Sequence, residues 1–114
     1  MRQLIGDALR NEGYDVVEAT NGKEFLGLLV RDQRSRVDRG PTIDLILTDV
    51  RLPGCDGLDI LELLRGTDPR TPTIVMTALG DRDKLARARG LGAVTLSKPF
   101  PLGALMITIR RCLR

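Results

Sequence analysis

Ile43-Asp44-Leu45-Ile46-Leu47-Thr48-Asp49 places four apolar residues in its first five positions and then ends on a carboxylate. So short an apolar run, closed by polar residues, is the pattern of a strand buried on both faces. Strands of that kind belong to parallel sheets covered by helices, so helical periodicity should flank the run on either side. Downstream, Leu58, Leu61 and Leu64 stripe a helix that ends near Gly66, and 73–76 is a second apolar strand followed by Thr77-Ala78. A weaker helix over 81–89 carries Leu85, Ala86 and Ala88; 94–96 is a short strand running into Ser97-Lys98-Pro99. Leu102, Leu105, Met106, Ile109 and Leu113 stripe a last helix.

Upstream the alternation continues. Leu4, Ile5, Ala8 and Leu9 form a helical stripe that stops at Gly13, and residues 14–19 read as a strand closed by Asn21-Gly22. Asn21 is placed to cap a second helix with Phe25, Leu26, Leu28 and Leu29 facing inward and Glu24 three residues on. Residues 31–41 read as a polar, arginine-rich connector. Helices regularly placed between buried strands require crossover connections. The predicted class is therefore α/β, a three-layer doubly wound parallel sheet in one domain spanning 1–114.

Composition narrows the chemistry. The chain has 114 residues, 42% of them hydrophobic, and a net charge of +3. That size suits one core, and that hydrophobicity suits a folded chain better than a disordered one. No apolar run approaches the length of a bilayer span and no signal-peptide pattern opens the chain, so a cytoplasmic location without membrane contact is expected. Much of the basic excess lies in residues 31–39 and in Arg110, Arg111 and Arg114. With only Tyr14, Phe25 and Phe100 as aromatics, base stacking is poorly served, and nucleic acid is not the expected partner. Histidine is absent, which removes Ser–His chemistry and imidazole metal ligation. Cys55 and Cys112 are far apart and fit reduced thiols.

Ligands of open parallel sheets bind beyond the carboxyl ends of the strands. Just past the ends of the buried strands stand Asp49, Thr77 and Lys98: a carboxylate, a hydroxyl and an ammonium. Each has an ordinary explanation as a turn former, a β-branched strand end or a surface lysine. Their joint placement suits acyl-phosphate chemistry, with the carboxylate as nucleophile and the other two groups on phosphoryl oxygens.

The residues also resemble a known family. Leu45-Ile-Leu-Thr-Asp-Val-Arg-Leu-Pro-Gly-Cys-Asp-Gly57 resembles the phosphoacceptor segment of response-regulator receiver domains, and Thr73-Ile-Val-Met-Thr-Ala78 is similar to the strand carrying their switch Thr or Ser. Gly92-Ala93 through Leu96-Ser97-Lys98-Pro99-Phe100 is similar to their Lys-Pro segment, and 9–22 to their first helix and second strand. The resemblance implies a flavodoxin-like receiver fold. In it Asp49 takes a phosphoryl group from a sensor histidine kinase or phosphotransfer protein. Thr77 then bonds a phosphoryl oxygen and shifts inward, and Lys98 pairs with another oxygen. The resemblance further implies Mg²⁺ held by Asp49 and the Arg51 backbone carbonyl, and a cis peptide at Lys98-Pro99.

Three departures from the family pattern stand out. The family opens with a buried strand ending in an acidic pair that binds Mg²⁺. Here Met1 already stands near the first helix and only Asp7, within that helix, is acidic, so the fold is expected to lack its first strand and the metal site to be weakened or absent. A central strand buries about four apolar side chains worth roughly 6–12 kcal/mol in all, a large part of a domain's stability of about 5–15 kcal/mol. The gap should therefore be closed by repacking or by strand exchange within a homodimer. Second, Thr95 stands where the family usually has Tyr or Phe, which weakens aromatic coupling to the output face, and Gly92 lies about one residue closer to Lys98 than usual. Third, residues 31–39 form a longer, more basic insertion than is usual, read as a tolerated surface loop. Cys55 is a small loop residue beside the site, open to oxidation.

The implied function is a phosphorelay switch, not an enzyme in the usual sense, that presents a protein-interaction face. The alternative is a degenerate receiver acting as an interaction module without phosphorylation. A hydrolase with an aspartyl nucleophile would carry a second Asp two residues on, where this chain has Arg51. DNA binding lacks a helix-turn-helix segment to serve it.

Overall fold

A computed structural model describes residues 2–113. Readings that involve Met1 and Arg114 lie outside those residues. The element order is α1 (Arg2–Asn11), α2 (Gly22–Asp38), β1 (Ile46–Asp49), β2 (Arg51–Leu52), β3 (Cys55–Asp56), α3 (Gly57–Arg65), β4 (Thr73–Ala78), α4 (Arg82–Gly90), β5 (Val94–Lys98) and α5 (Leu102–Cys112).

β1, β4 and β5 form a parallel sheet in the order β1-β4-β5. Side-chain alternation then sorts the core into two layers. Ile74 and Met76 point to one face, where Ile5, Leu105, Met106 and Ile109 of α1 and α5 cover them, with Leu45 and Leu47 packed alongside. Ile46 and Val75 point to the other, against Phe25, Leu29, Leu58, Leu61, Leu64 and Ala88 of α2, α3 and α4. Helices on both faces of a parallel sheet are the three-layer α/β architecture the sequence implied.

The first expected strand is not one. Residues 14–19 have strand composition but join no ladder, and Val17 is 73% exposed. Tyr14 and Ala19 still pack, on the α1/α5 and α2/α3 layers respectively. The reason is the neighbour: a strand needs a hydrogen-bonding partner, and among the described residues β1 pairs only with β4. Of the two expected ways of covering that edge, repacking of 14–19 against β1 is thus not the one found.

Boundaries also move: β4 and β5 run on to include Thr77 and Lys98, expected just past their ends, and two others shift further. The expected connector at 31–41 is helical as far as Asp38, where Arg39 adopts a left-handed φ of 59° and donates its N–H to Ser35. Asp32 explains the extension. Although charged, it is only 6% exposed; it accepts from Arg36 Nε at 2.8 Å, one helical turn on, and from the Ile43 N–H at 2.6 Å. The strand expected at 43–47 starts its ladder at Ile46, because the Ile43 N–H is spent on Asp32 and Ile46 is the first residue to bond across, to Pro72 O.

Candidate functional site

The strand tips converge as the topology requires. Asp49 is the last residue of β1 and lies opposite Met76 of β4. Thr77 follows Met76 and lies opposite Ser97 of β5, while Lys98 lies opposite Ala78. Thr77 is 2% exposed, on the strand between the two charged residues. Asp49 and Lys98 bridge this middle strand and form an ion pair. Asp49 Oδ1 is shut off from solvent, yet the side chain as a whole is 35% exposed, so the carboxylate is reachable from outside. The peptide between Lys98 and Pro99 is cis, as expected.

A small hairpin frames the carboxylate. Arg51 pairs with Asp56 and Leu52 with Cys55 around a Pro53-Gly54 turn, where Gly54 takes the positive φ of 84° that such a turn demands after proline. Gly57 closes the hairpin onto β1: its N–H donates to Val50 O at 2.6 Å, and any Cβ there would collide with the Asp49 carbonyl oxygen. Asp56 caps α3 by accepting from the Leu58 N–H at 2.7 Å and accepts from Lys84 Nζ at 2.6 Å on its other oxygen. The Lys84 and Leu58 bonds outweigh the largest single influence, burial, and hold the Asp56 carboxyl below the usual carboxylate range.

Sequence reasoning named Asp49, Thr77 and Lys98, and the structure gathers all three at one end of the sheet. It passed over Lys84, which nothing in its neighbourhood marks. It took Asp56-Gly57 only as part of a motif, although an Asp placed just before an apolar helical run is an N-cap signal. Cys55 is a half-buried free thiol whose Sγ occupies the space a Cβ on Gly22 would need, so it packs the hairpin against the start of α2.

The described residues do not by themselves fit a Mg²⁺ ion. Such an ion takes near-octahedral oxygen ligands. Among the described residues no three His, Cys, Asp or Glu side chains cluster as a metal site. Asp49 is engaged by Lys98, and Asp7 lies exposed in α1, 3.7 Å from Arg10. Asp49 and the Arg51 carbonyl remain the expected ligands, short of a full set.

Comparison with known proteins agrees with this geometry. Residues 1–110 match the family described as response regulator receiver domain. The chain is 30% identical to sporulation initiation phosphotransferase F of Bacillus subtilis (strain 168), across 99% of this chain and 85% of that protein. It is 35% identical to response regulator protein PilR of Pseudomonas aeruginosa, across all of this chain but only 24% of that protein. Among solved structures, a response regulator receiver domain protein from Clostridium thermocellum superposes with a TM-score of 0.83 at 28% identity, covering 97% of this chain and 83% of that one. The Francisella response regulator 1452 receiver domain gives 0.78 at 28% identity, covering 97% and 85%. A carboxylate, a hydroxyl and an ammonium at adjoining tips of a parallel sheet, and a family match over 110 residues, lead to one conclusion: this chain belongs to the response regulator receiver domain family.

Proposed function

We propose that this domain accepts a phosphoryl group on Asp49 from a phosphohistidine donor, a sensor histidine kinase or a phosphotransfer protein, and switches a protein-interaction face. The Asp49–Lys98 pair carries the reading: a reachable carboxylate at a strand tip, held by an ammonium, with a buried hydroxyl on the strand between. In the transfer, an Asp49 carboxylate oxygen forms a bond to phosphorus as the donor's P–N bond breaks. The ring nitrogen keeps that electron pair. Lys98 then serves the phosphoryl oxygens, whose charge exceeds that of the carboxylate it replaces as partner, and the Thr77 hydroxyl donates to another. The product is an acyl phosphate that is held and slowly lost, so the domain is a switch and does not turn over a substrate. The cytoplasm, where such donors act, is the proposed location; among the described residues no helix is long and apolar enough to cross a membrane.

Incubation with acetyl phosphate and Mg²⁺, read by intact mass, tests this. The expected result is a gain of one phosphoryl group that disappears in Asp49→Asn. A chain that gains nothing under those conditions favours the phosphorylation-independent interaction module.

A further inference from the structure

The helix after Thr77 is attached differently from α3 and α5. α3 buries Leu58, Ile60, Leu61 and Leu64, and α5 buries Leu105, Met106 and Ile109. α4 buries Ala88 alone. Beside its first turn lies a half-open surface depression of about 220 Å³, lined by Thr77, Leu79, Asp81, Leu85 and Ser97 among others. A methyl group and a half-buried leucine supply little of the apolar area that normally fixes a helix. What α4 has instead is charge. Lys84 meets Asp56 at 2.6 Å, with the two side chains 34% and 23% exposed. One turn on, Arg87 meets Asp59 at 2.6 Å and Glu62 at 3.6 Å. These contacts all run from α4 to α3 or its cap.

We propose that α4 is a detachable element, latched to α3 by the Lys84–Asp56 pair with Arg87 as a second rung. The latch reaches the phosphorylation site at both ends. Asp56 is paired across the hairpin to Arg51 and adjoins Gly57, which is packed on Asp49. α4 begins five residues after Thr77, beyond a loop in which Gly80 has a φ of 88° and Leu79 is 78% exposed. Resting on the receiver reading of that site, the latch sets how easily the Thr77 end of the sheet rearranges. Lys84 is a positioning residue in this sense, acting through Asp56.

Amide hydrogen exchange on the 114-residue chain tests the latch without any phosphorylation. Lys84→Met keeps most of the side-chain stem, and Asp56→Asn keeps an equally good cap while removing the charge. Each should speed exchange in residues 82–90 by roughly three- to tenfold, the double variant should be no faster than either, and Lys84→Arg should restore protection. At about 1 M salt, where charges are screened over about 3 Å, the unaltered chain should approach the variants. Residues 58–64 should be accelerated much less than residues 82–90 throughout. Equal α4 exchange in the unaltered chain and Lys84→Met at both salt concentrations overturns the proposal. So does an equal acceleration of α3 and α4, which would mark a merely structural contact. Because the acetyl phosphate experiment reads Asp49 separately, a failed latch and a failed receiver reading give different results.

Discussion

Gly57 shows how much one residue contributes at this site. Its N–H closes the hairpin on Val50, and its missing side chain is what lets the helix start lie against the Asp49 backbone. Gly57→Ala should destabilise the domain by about 1–3 kcal/mol, the range for forcing a methyl into occupied space, read as a lower denaturant midpoint at unchanged slope. An unshifted midpoint would mean that the β1 tip gives way at no cost. At this scale the sequence is legible wherever chemistry comes just after a short apolar run. Asp49 and Lys98 each stand at the end of one, so their convergence is legible in the sequence. Lys84 and Asp56 are 28 residues apart, and their pairing depends on two helices lying side by side, which no local pattern states.

Arg65 plays the corresponding part between elements. From the end of α3 its guanidinium donates to Leu91 O at 2.7 Å, Thr71 O at 2.9 Å, Thr73 Oγ1 at 3.2 Å and Asp68 O at 3.3 Å. It thereby ties the ends of α3 and α4 to the start of β4. Arg65→Met keeps the apolar stem but leaves half-buried carbonyls without their charged donor, so a loss of about 1.5–3 kcal/mol is expected in equilibrium unfolding. A shift under about 0.5 kcal/mol, on the order of a plain surface substitution, would show that water replaces the guanidinium freely. Helices with an apolar stripe were legible because periodicity alone implies burial. The tail of α2 was not, since its anchor is Asp32, a charged residue buried by its bonds to Arg36 and Ile43. Residues 14–19 failed in the opposite sense: their composition suits a strand, but a ladder is a property of two segments, and composition describes one.

The whole molecule carries an acid-sensitive component whose direction can be worked out. Asp56 and Asp68 both lie below the ordinary 3.8 of an aspartate. For Asp56, burial pulls upward, and the bonds from Lys84 and the Leu58 N–H prevail over it. For Asp68, burial is again opposed, by the Thr71 hydroxyl, the Arg70 and Thr71 N–H groups and Arg36. A carboxyl depressed in the folded chain is deprotonated there while its unfolded counterpart takes up a proton. The unfolded state therefore binds more protons as acidity increases, and stability falls with it. The contribution is complete above the unfolded value and is lost as pH drops through the folded one. Melting temperature followed by circular dichroism should thus hold steady, as far as these two groups are concerned, from about pH 7 to about 5 and decline below about 4. Asp56→Asn and Asp68→Asn should each start lower and flatten that acid limb, because each removes one titrating partner. Parallel acid limbs in the variants and the unaltered chain would assign the loss to other carboxylates. The two sites also separate by region: Asp56 joins α3 to α4 beside Asp49, whereas Asp68 caps the turn before β4, near the Arg36–Asp32 pair. Acid should accordingly loosen α4 through Asp56 and the start of β4 through Asp68, and amide exchange followed as pH falls below the ordinary 3.8 of an aspartate resolves one from the other.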